Sequence, residues 1–194
     1  MEYRGIKIQI DKDVYEPAED TFLIAEALLE EVKSDDIVLD MGTGTGILAL
    51  LAAKKARFVI GVDINRKAVD LAWKNARING IRNVVFVVSD LFENVRGTFD
   101  LIIFNPPYLP GEEIRDDIDK ALIGGKRGYE IIVRFLENVG NYLNPNGRVL
   151  LVYSSLTGDV ESLFKKRGFL TKIVKRERFF FEEVYVMKAE LSSR

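Results

Sequence analysis

The 194-residue chain is 47% hydrophobic and 30% charged, with a formal net charge of −2. These are the proportions of a soluble globular protein, long enough for one α/β domain with a full core, and they give no overall electrostatic footprint for nucleic acid. Cysteine and histidine are both absent, which excludes disulfides, thiolate catalysis, a Ser-His-Asp triad and a Cys/His zinc site, and removes the usual general base near neutral pH.

Ile6, Ile8 and Ile10 alternate with Lys7 and Gln9, predicting a short strand. The segment Val14-Tyr15-Glu16-Pro17-Ala18-Glu19-Asp20-Thr21 leads into an amphipathic helix that carries Phe22, Leu23, Ala25, Ala27, Leu28 and Leu29 and ends near Lys33-Ser34. Ile37 to Asp40 reads as a strand entering Met41-Gly42-Thr43-Gly44-Thr45-Gly46, followed by an apolar helix from Ile47 to Lys55. Phe58 to Asp63 is a second core strand, and a helix from about Arg66 closes at Asn79-Gly80. Val84 to Val88 and Phe99 to Phe104 are the third and fourth strands. A helix from about Gly128 to Tyr142 stops before the turn Asn144-Pro145-Asn146-Gly147. A fifth strand from Arg148 to Tyr153, a helix from Gly158 to Lys166 and two closing strands, Leu170 to Arg176 and Glu183 to Lys188, complete the chain.

This alternation predicts an α/β fold, a doubly wound and mostly parallel sheet of the Rossmann-like class with an antiparallel C-terminal hairpin at one edge. Residues 1–194 are expected to form a single domain, an N-terminal strand and helix (1–34) attached to a core sheet (35–194). No apolar run approaches membrane-spanning length and the start lacks a signal-peptide pattern, so a cytoplasmic location is expected. The lone Gln9 and abundant Lys, Arg and Glu resemble a heat-adapted composition. Basic residues from Lys165 to Arg178 read as a solvated helix end and strand face, or as a patch for an acidic partner.

Ligands of such sheets sit at the carboxyl ends of the strands. There the spacing Asp-x-Gly-x-Gly-x-Gly brings Asp40 together with Gly42, Gly44 and Gly46. Glycines allow tight turns and close backbone approach. Asp40 would repel a pyrophosphate but suits a cationic group such as the amino-acid end of S-adenosylmethionine. Asp63, about twenty residues on, is placed to accept both hydroxyls of an adenosine ribose. Asp90 could accept an adenine amino group, with Leu91 over the ring; an N-cap is the alternative for Asp90.

Asn105-Pro106-Pro107-Tyr108 follows the fourth strand directly. The prolines end ladder pairing and stiffen the backbone, presenting a carboxamide and a phenol that suit the gripping of a planar amine or amide. Asn105 Oδ1 and the Pro106 carbonyl can each accept an N–H and stabilise charge developing on nitrogen, while Tyr108 packs against the substrate. Methyl transfer from a sulfonium needs mainly alignment, which fits a chain without histidine.

Together, Glu16-Pro17-Ala18-Glu19-Asp20-Thr21, the glycine-rich loop, Asp63, Asp90 and Asn105-Pro106-Pro107-Tyr108 resemble the HemK/PrmC-type protein-glutamine methyltransferases, in their short archaeal and eukaryotic branch. The resemblance runs from about Val14 to Val186. It implies the class I methyltransferase fold and S-adenosylmethionine as cofactor (S-adenosylhomocysteine as product), held around Thr21, Asp40, Gly42, Asp63, Asp90, Leu91 and Asn105. It also implies Asn105, Pro106, Pro107 and Tyr108 at the substrate, with the glutamine of a Gly-Gly-Gln loop in a translation termination factor as target. Gly124-Gly125-x-x-Gly128 matches a stretch that opens a helix near the substrate. The acids Glu112, Glu113, Asp116, Asp117 and Asp119 are expected to form a solvated flap. The apolar strand Val84 to Val88, an edge in this sheet order, looks like the docking site of a small zinc-containing activator. Adenine-N6 methylation of DNA or RNA and protein-lysine methylation remain as alternatives.

Overall fold

The computed structural model describes residues 1–111 and 117–192, and in it the N-terminal alternation yields less strand than its pattern suggests. Glu2–Tyr3 (β1) and Ile6–Lys7 (β2) form a small hairpin. Beyond it, Gln9 N donates to the Asn75 side chain at 2.8 Å rather than to a strand. The chain then runs through α1 (Glu19–Glu31), β3 (Ile37–Met41), α2 (Ile47–Ala53), β4 (Phe58–Asp63), α3 (Arg66–Ile78), β5 (Val84–Val88) and β6 (Phe99–Phe104). It continues through α4 (Asp117–Leu122), α5 (Glu130–Leu136), β7 (Leu143–Ser154), α6 (Val160–Lys166), β8 (Phe169–Arg178) and β9 (Glu183–Leu191).

Three elements depart from the sequence reading. The helix expected to reach Tyr142 ends at Leu136 and gives way to a 3-10 turn over Val139–Tyr142. Asn138 and Gly140, weak helix formers, interrupt it, and buried Val139 tightens the turn onto the core. The Asn144 to Gly147 turn sits inside β7 as an excursion: Phe99 pairs with Leu143, and pairing resumes at Leu101 with Arg148. Helix α4 occupies part of the stretch read as an acidic flap; Glu112, Glu113 and Asp116 of that reading lie outside the described residues.

The main sheet has seven strands in the order β5-β4-β3-β6-β7-β9-β8. The first five are parallel, while β9 pairs antiparallel with both β7 and β8. The expected hairpin is therefore present, with the last strand seated inside it rather than at the edge. Alternate side chains feed two cores, as a sheet covered on both faces requires. Val38, Val59, Leu101, Ile103, Leu150 and Val152 pack under α1, α2 and α3. Leu39, Val62, Ile102, Phe104, Val149 and Leu151 meet Ile132 and Phe135 of α5 and Phe164 of α6.

An ion pair is buried at the amino-end edge of the sheet. Arg148, only 3% exposed, forms a two-pronged pair with Asp36 (Nη2–Oδ2 2.6 Å, Nη1–Oδ1 3.2 Å) and donates to Asp100 O at 2.9 Å and Glu31 O at 2.5 Å. It thus ties β7 to the end of α1 and to the entries of β3 and β6. Removing one partner of a buried pair strands the other charge, at a cost of about 3–5 kcal/mol. Asp36→Ala should accordingly lower the chemical-denaturation midpoint sharply, whereas the volume-matched pair Asp36→Leu with Arg148→Met should recover much of the loss. Equilibrium urea unfolding followed by circular dichroism checks both.

Candidate active site

The sheet order reverses at β3, with β4 and β5 to one side and β6 and β7 to the other, so a crevice opens at the carboxyl ends of β3 and β6. It holds a cavity of about 470 Å³, within the range of small-molecule and cofactor sites. Gly42 to Thr45 line its floor, Asp63, Asp90 and Leu91 one side, and Asn105 and Pro107 the other. Val14, Tyr15, Pro17 and Thr21 close it from the N-terminal segment, opposite Lys120, Ala121, Ile131 and Arg134.

The glycines of the loop do different jobs. Gly42, Gly44 and Gly46 all have positive φ (68°, 54° and 85°), which β-carbon-bearing residues adopt only with strain. A Cβ on Gly44 would meet nothing within 4 Å, whereas one on Gly46 would lie 2.9 Å from Ala72 Cβ. Gly44 therefore leaves room for a ligand, and Gly46 brings the loop against α3 without lining the cavity.

Asp40 also lies beneath the loop. It is 1% exposed; its Oδ2 accepts from Thr43 Oγ1 at 2.6 Å and Ala49 N at 3.1 Å, and its Oδ1 is buried without a partner. Asp40 thus braces the loop from beneath and is not among the residues that line the cavity. Burial pushes its carboxyl up to about 7, against the lowering effect of those two hydrogen bonds. Asp63 does line the cavity, its Oδ2 accepting from Gly44 N and its Oδ1 from Asn65 N, both at 2.9 Å; burial raises its pKa too. Asp90 Oδ2 accepts from Arg134 Nη2 at 2.9 Å, so an arginine already shares the acid assigned to an adenine. Leu91 lines the cavity with φ of +46°, held there by Ser89 Oγ donating to its carbonyl at 2.8 Å. Such backbone costs of order 1–3 kcal/mol and clusters at functional sites.

Asn105 stands between this cavity and a small recess of about 20 Å³ lined by Tyr15, Asp20, Pro106, Tyr108, Leu109, Ala121 and Leu122. Asp20, in the first turn of α1 and 7% exposed, organises the group. Its Oδ2 accepts from Asn105 Nδ2 and Tyr108 Oη, each at 3.2 Å. Its Oδ1 accepts from Tyr15 Oη at 3.1 Å and Thr21 N at 2.6 Å. With Nδ2 so engaged, the opposite atom, Asn105 Oδ1, is buried with no partner. Burial, then the neighbouring Asp20 charge, raise the pKa of both tyrosines, which stay protonated as donors.

The backbone after Asn105 is held just as closely. Thr157 Oγ1 donates to Tyr108 O at 3.2 Å. A Cβ on Gly124 would meet Pro107 O at 2.4 Å and one on Gly128 would meet Tyr108 O at 2.6 Å. The Gly124-Gly125-x-x-Gly128 stretch, read in the sequence as a helix opening, thus serves as a close-packed rest for the Pro107–Tyr108 backbone.

A model of the family described as methyltransferase small domain matches residues 19–182. A Methanocaldococcus jannaschii protein, assigned provisionally as a protein N5-glutamine methyltransferase, is 46% identical over 97% of this chain and 98% of its own. The chain belongs to the methyltransferase small-domain family, in its HemK/PrmC-type group. The release factor glutamine methyltransferase of Lactococcus lactis is 31% identical over 93% of this chain and 70% of its own length. Among solved structures, that of the E. cuniculi Mtq2–Trm112 complex, described as responsible for methylating the termination factor eRF1, aligns with a TM-score of 0.75 and 31% identity, over 93% of this chain and 99% of that one.

Within this small-domain methyltransferase, the structure gathers Thr21, Gly42, Gly44, Asp63, Asp90, Leu91, Asn105 and Pro107 around one cavity and Asn105, Pro106 and Tyr108 around the adjoining recess, leaving Asp40 and Gly46 behind the loop. Asp20, Tyr15 and Arg134 were not singled out by sequence. Asp20 stood inside the Glu-Pro-Ala-Glu-Asp-Thr segment, but its bonds to Asn105 and Tyr108 span 85 and 88 positions, a pairing no local pattern encodes.

The raised pKa of Asp40 makes a pH prediction. The folded state keeps its proton up to about pH 7, whereas an unfolded Asp releases it near 3.9. The stability advantage of the protonated form is therefore complete below the unfolded pKa and lost as pH rises through the folded one. Asp40→Asn, which keeps an acceptor for Thr43 and Ala49, should flatten that fall, so that its thermal midpoint gains on the parent's progressively between pH 4 and 7. Differential scanning calorimetry across that range checks it.

Proposed function

We propose that this methyltransferase uses S-adenosylmethionine to methylate a protein side-chain amide, the glutamine of the Gly-Gly-Gln loop of a translation termination factor. The observation that carries the reading is Asn105 Oδ1, a buried acceptor without a partner at the meeting of cavity and recess. The cavity suits the cofactor: its volume, the open face of Gly44 and the Asp63 carboxylate accommodate an adenosine with a charged tail. When bound, S-adenosylmethionine supplies an electrophilic methyl group.

The chain's own residues supply the alignment. Asn105 Oδ1 and the Pro106 carbonyl would each accept an N–H of the substrate carboxamide, fixing its nitrogen and stabilising positive charge as it develops there. Donation from Asn105 Nδ2 to the Asp20 carboxylate polarises the amide and strengthens Oδ1 as acceptor. A cationic amide nitrogen is strongly acidic, so its proton can leave to water without a side-chain base. The names of the relatives and the structural likeness to the E. cuniculi enzyme support a termination factor as the substrate.

The same reading places the enzyme, as one domain, in the cytoplasm. It also assigns a small activator subunit to the β5 edge, where Val87 is 37% exposed. Trp73 Nε1 and Asn94 Nδ2 already bond the Phe86 and Val88 carbonyls.

The test is transfer of labelled methyl from S-adenosylmethionine, with and without the candidate activator, to a termination factor or to DNA. Label on the factor is expected; label on DNA alone would overturn the reading. Asn105→Ala should lower kcat about 10²–10³-fold, the scale for losing one transition-state hydrogen-bonding group. Asp20→Asn leaves one set of donors without an acceptor and should lower kcat about tenfold or more. Cofactor Kd, read by calorimetry, should change far less than kcat in both variants.

A further inference from the structure

The β8–β9 hairpin ends in a feature that turn chemistry does not explain. Phe179 N donates to Glu182 O at 2.8 Å, so Phe180 and Phe181 occupy the two central positions of a tight turn. Neither has positive φ, and such positions ordinarily carry Gly, Asn, Asp or Pro. Instead two rings stand in solvent, 92% and 85% exposed, edge to face with centroids 4.7 Å apart. Two phenylalanines together present on the order of 300–400 Å² of apolar surface, the size of patch that marks an interaction site.

The tip lies on the same edge of the sheet as the active site. Strand β9 runs antiparallel to β7, and Val184 pairs with Ser154, so the turn stands at the carboxyl end of β7, beside the carboxyl end of β6 that carries Asn105. A short chain of bonds connects the two. Ser155 N donates to Glu183 O at 2.8 Å and Glu183 N to Ser155 Oγ at 3.1 Å. Leu156, 49% exposed, follows, and Thr157 Oγ1 then bonds the Tyr108 carbonyl. Glu182 is close enough for its charge to act on the hydroxyls of both Tyr15 and Tyr108. Phe180, Phe181 and Leu156 are therefore exposed apolar side chains on the sheet edge that carries the recess, and we treat them as one apolar rim.

We propose that this rim is a docking surface for the folded protein that carries the target glutamine, seating its rings in an apolar hollow alongside the methylated loop; this rests on the reading of the site as a protein-amide methyltransferase. Its place on the same sheet edge as the recess, joined to Tyr108 through Glu183, Ser155 and Thr157, argues for the substrate. Its size argues against a second copy of this chain, because the rim is far below the roughly 1,200 Å² of total buried surface that stable association requires, whereas a substrate loop held in the recess adds its own contacts. The docking step holds the factor while Asn105 and Pro106 engage the carboxamide, and it contributes to affinity rather than to the chemical step.

The experiment compares the unmodified enzyme with Phe180→Ser/Phe181→Ser and with Leu156→Ser, each on the whole termination factor and on a short peptide containing its Gly-Gly-Gln loop. The double variant should raise KM for the whole factor at least tenfold with kcat little changed, Leu156→Ser should raise it less, and kinetics on the peptide should match the unmodified enzyme. An unchanged KM for the factor would overturn the docking surface while leaving the site's function standing. A change in oligomeric state by sedimentation, with KM unchanged, would assign the rim to self-association and overturn it equally. An unmodified enzyme inactive on both factor and peptide would overturn the functional reading, and the docking surface with it.

Discussion

The carboxylate of Asp20 is the interaction on which the candidate active site depends. It is nearly sealed from solvent and would be costly to bury alone, but donors from Tyr15, Thr21, Asn105 and Tyr108 surround it. Those donors come from three places in the chain: the approach to α1, the start of α1 itself and the segment after β6. Each gives up rotational freedom to reach the same two oxygens. The result is an asparagine whose donor end is committed and whose acceptor end is open, which is a polarity a freely rotating amide would not have.

Helix α1 is the strut that makes this possible. Its first turn carries Asp20 to the carboxyl edge of the sheet, and its last residue, Glu31, meets Arg148 at the opposite edge. A buried ion pair is weak evidence for stability in itself. Here it fixes the position of a helix end, and a helix is stiff enough to pass that placement along its 13 residues. Precision at the site thus draws on a charge cluster on the far side of the sheet.

Much of the fold was legible because its signals are local. Val84 to Val88 and Phe99 to Phe104 appear as strands with the bounds their apolar runs suggest. The reversal of order at β3 follows from alternating strands and helices, and the family assignment agrees with the motif set. The errors fall where tertiary contacts overrule local pattern. Ile10 continues an alternation that the asparagines of α3 interrupt, and Asn138 breaks a helix whose periodicity runs on to Tyr142. The role of Asp20 was hidden for the same reason, since two of its partners, Asn105 and Tyr108, lie 85 and 88 positions away. Phe180 and Phe181 were plain in the sequence, but only the antiparallel seating of β9 puts them at the site's edge.

The interior seat of β9 also bears on how the enzyme comes into being. Strand β9 follows β7 and β8 in the chain yet fills the gap between them, so the parallel strands can pair while β7 still presents an open edge. Open edges invite pairing with other chains. The seating of β9 covers that edge and joins β8 to the sheet. The same pairing that buries the edge of β7 therefore also sets the aromatic turn at the carboxyl edge of the sheet.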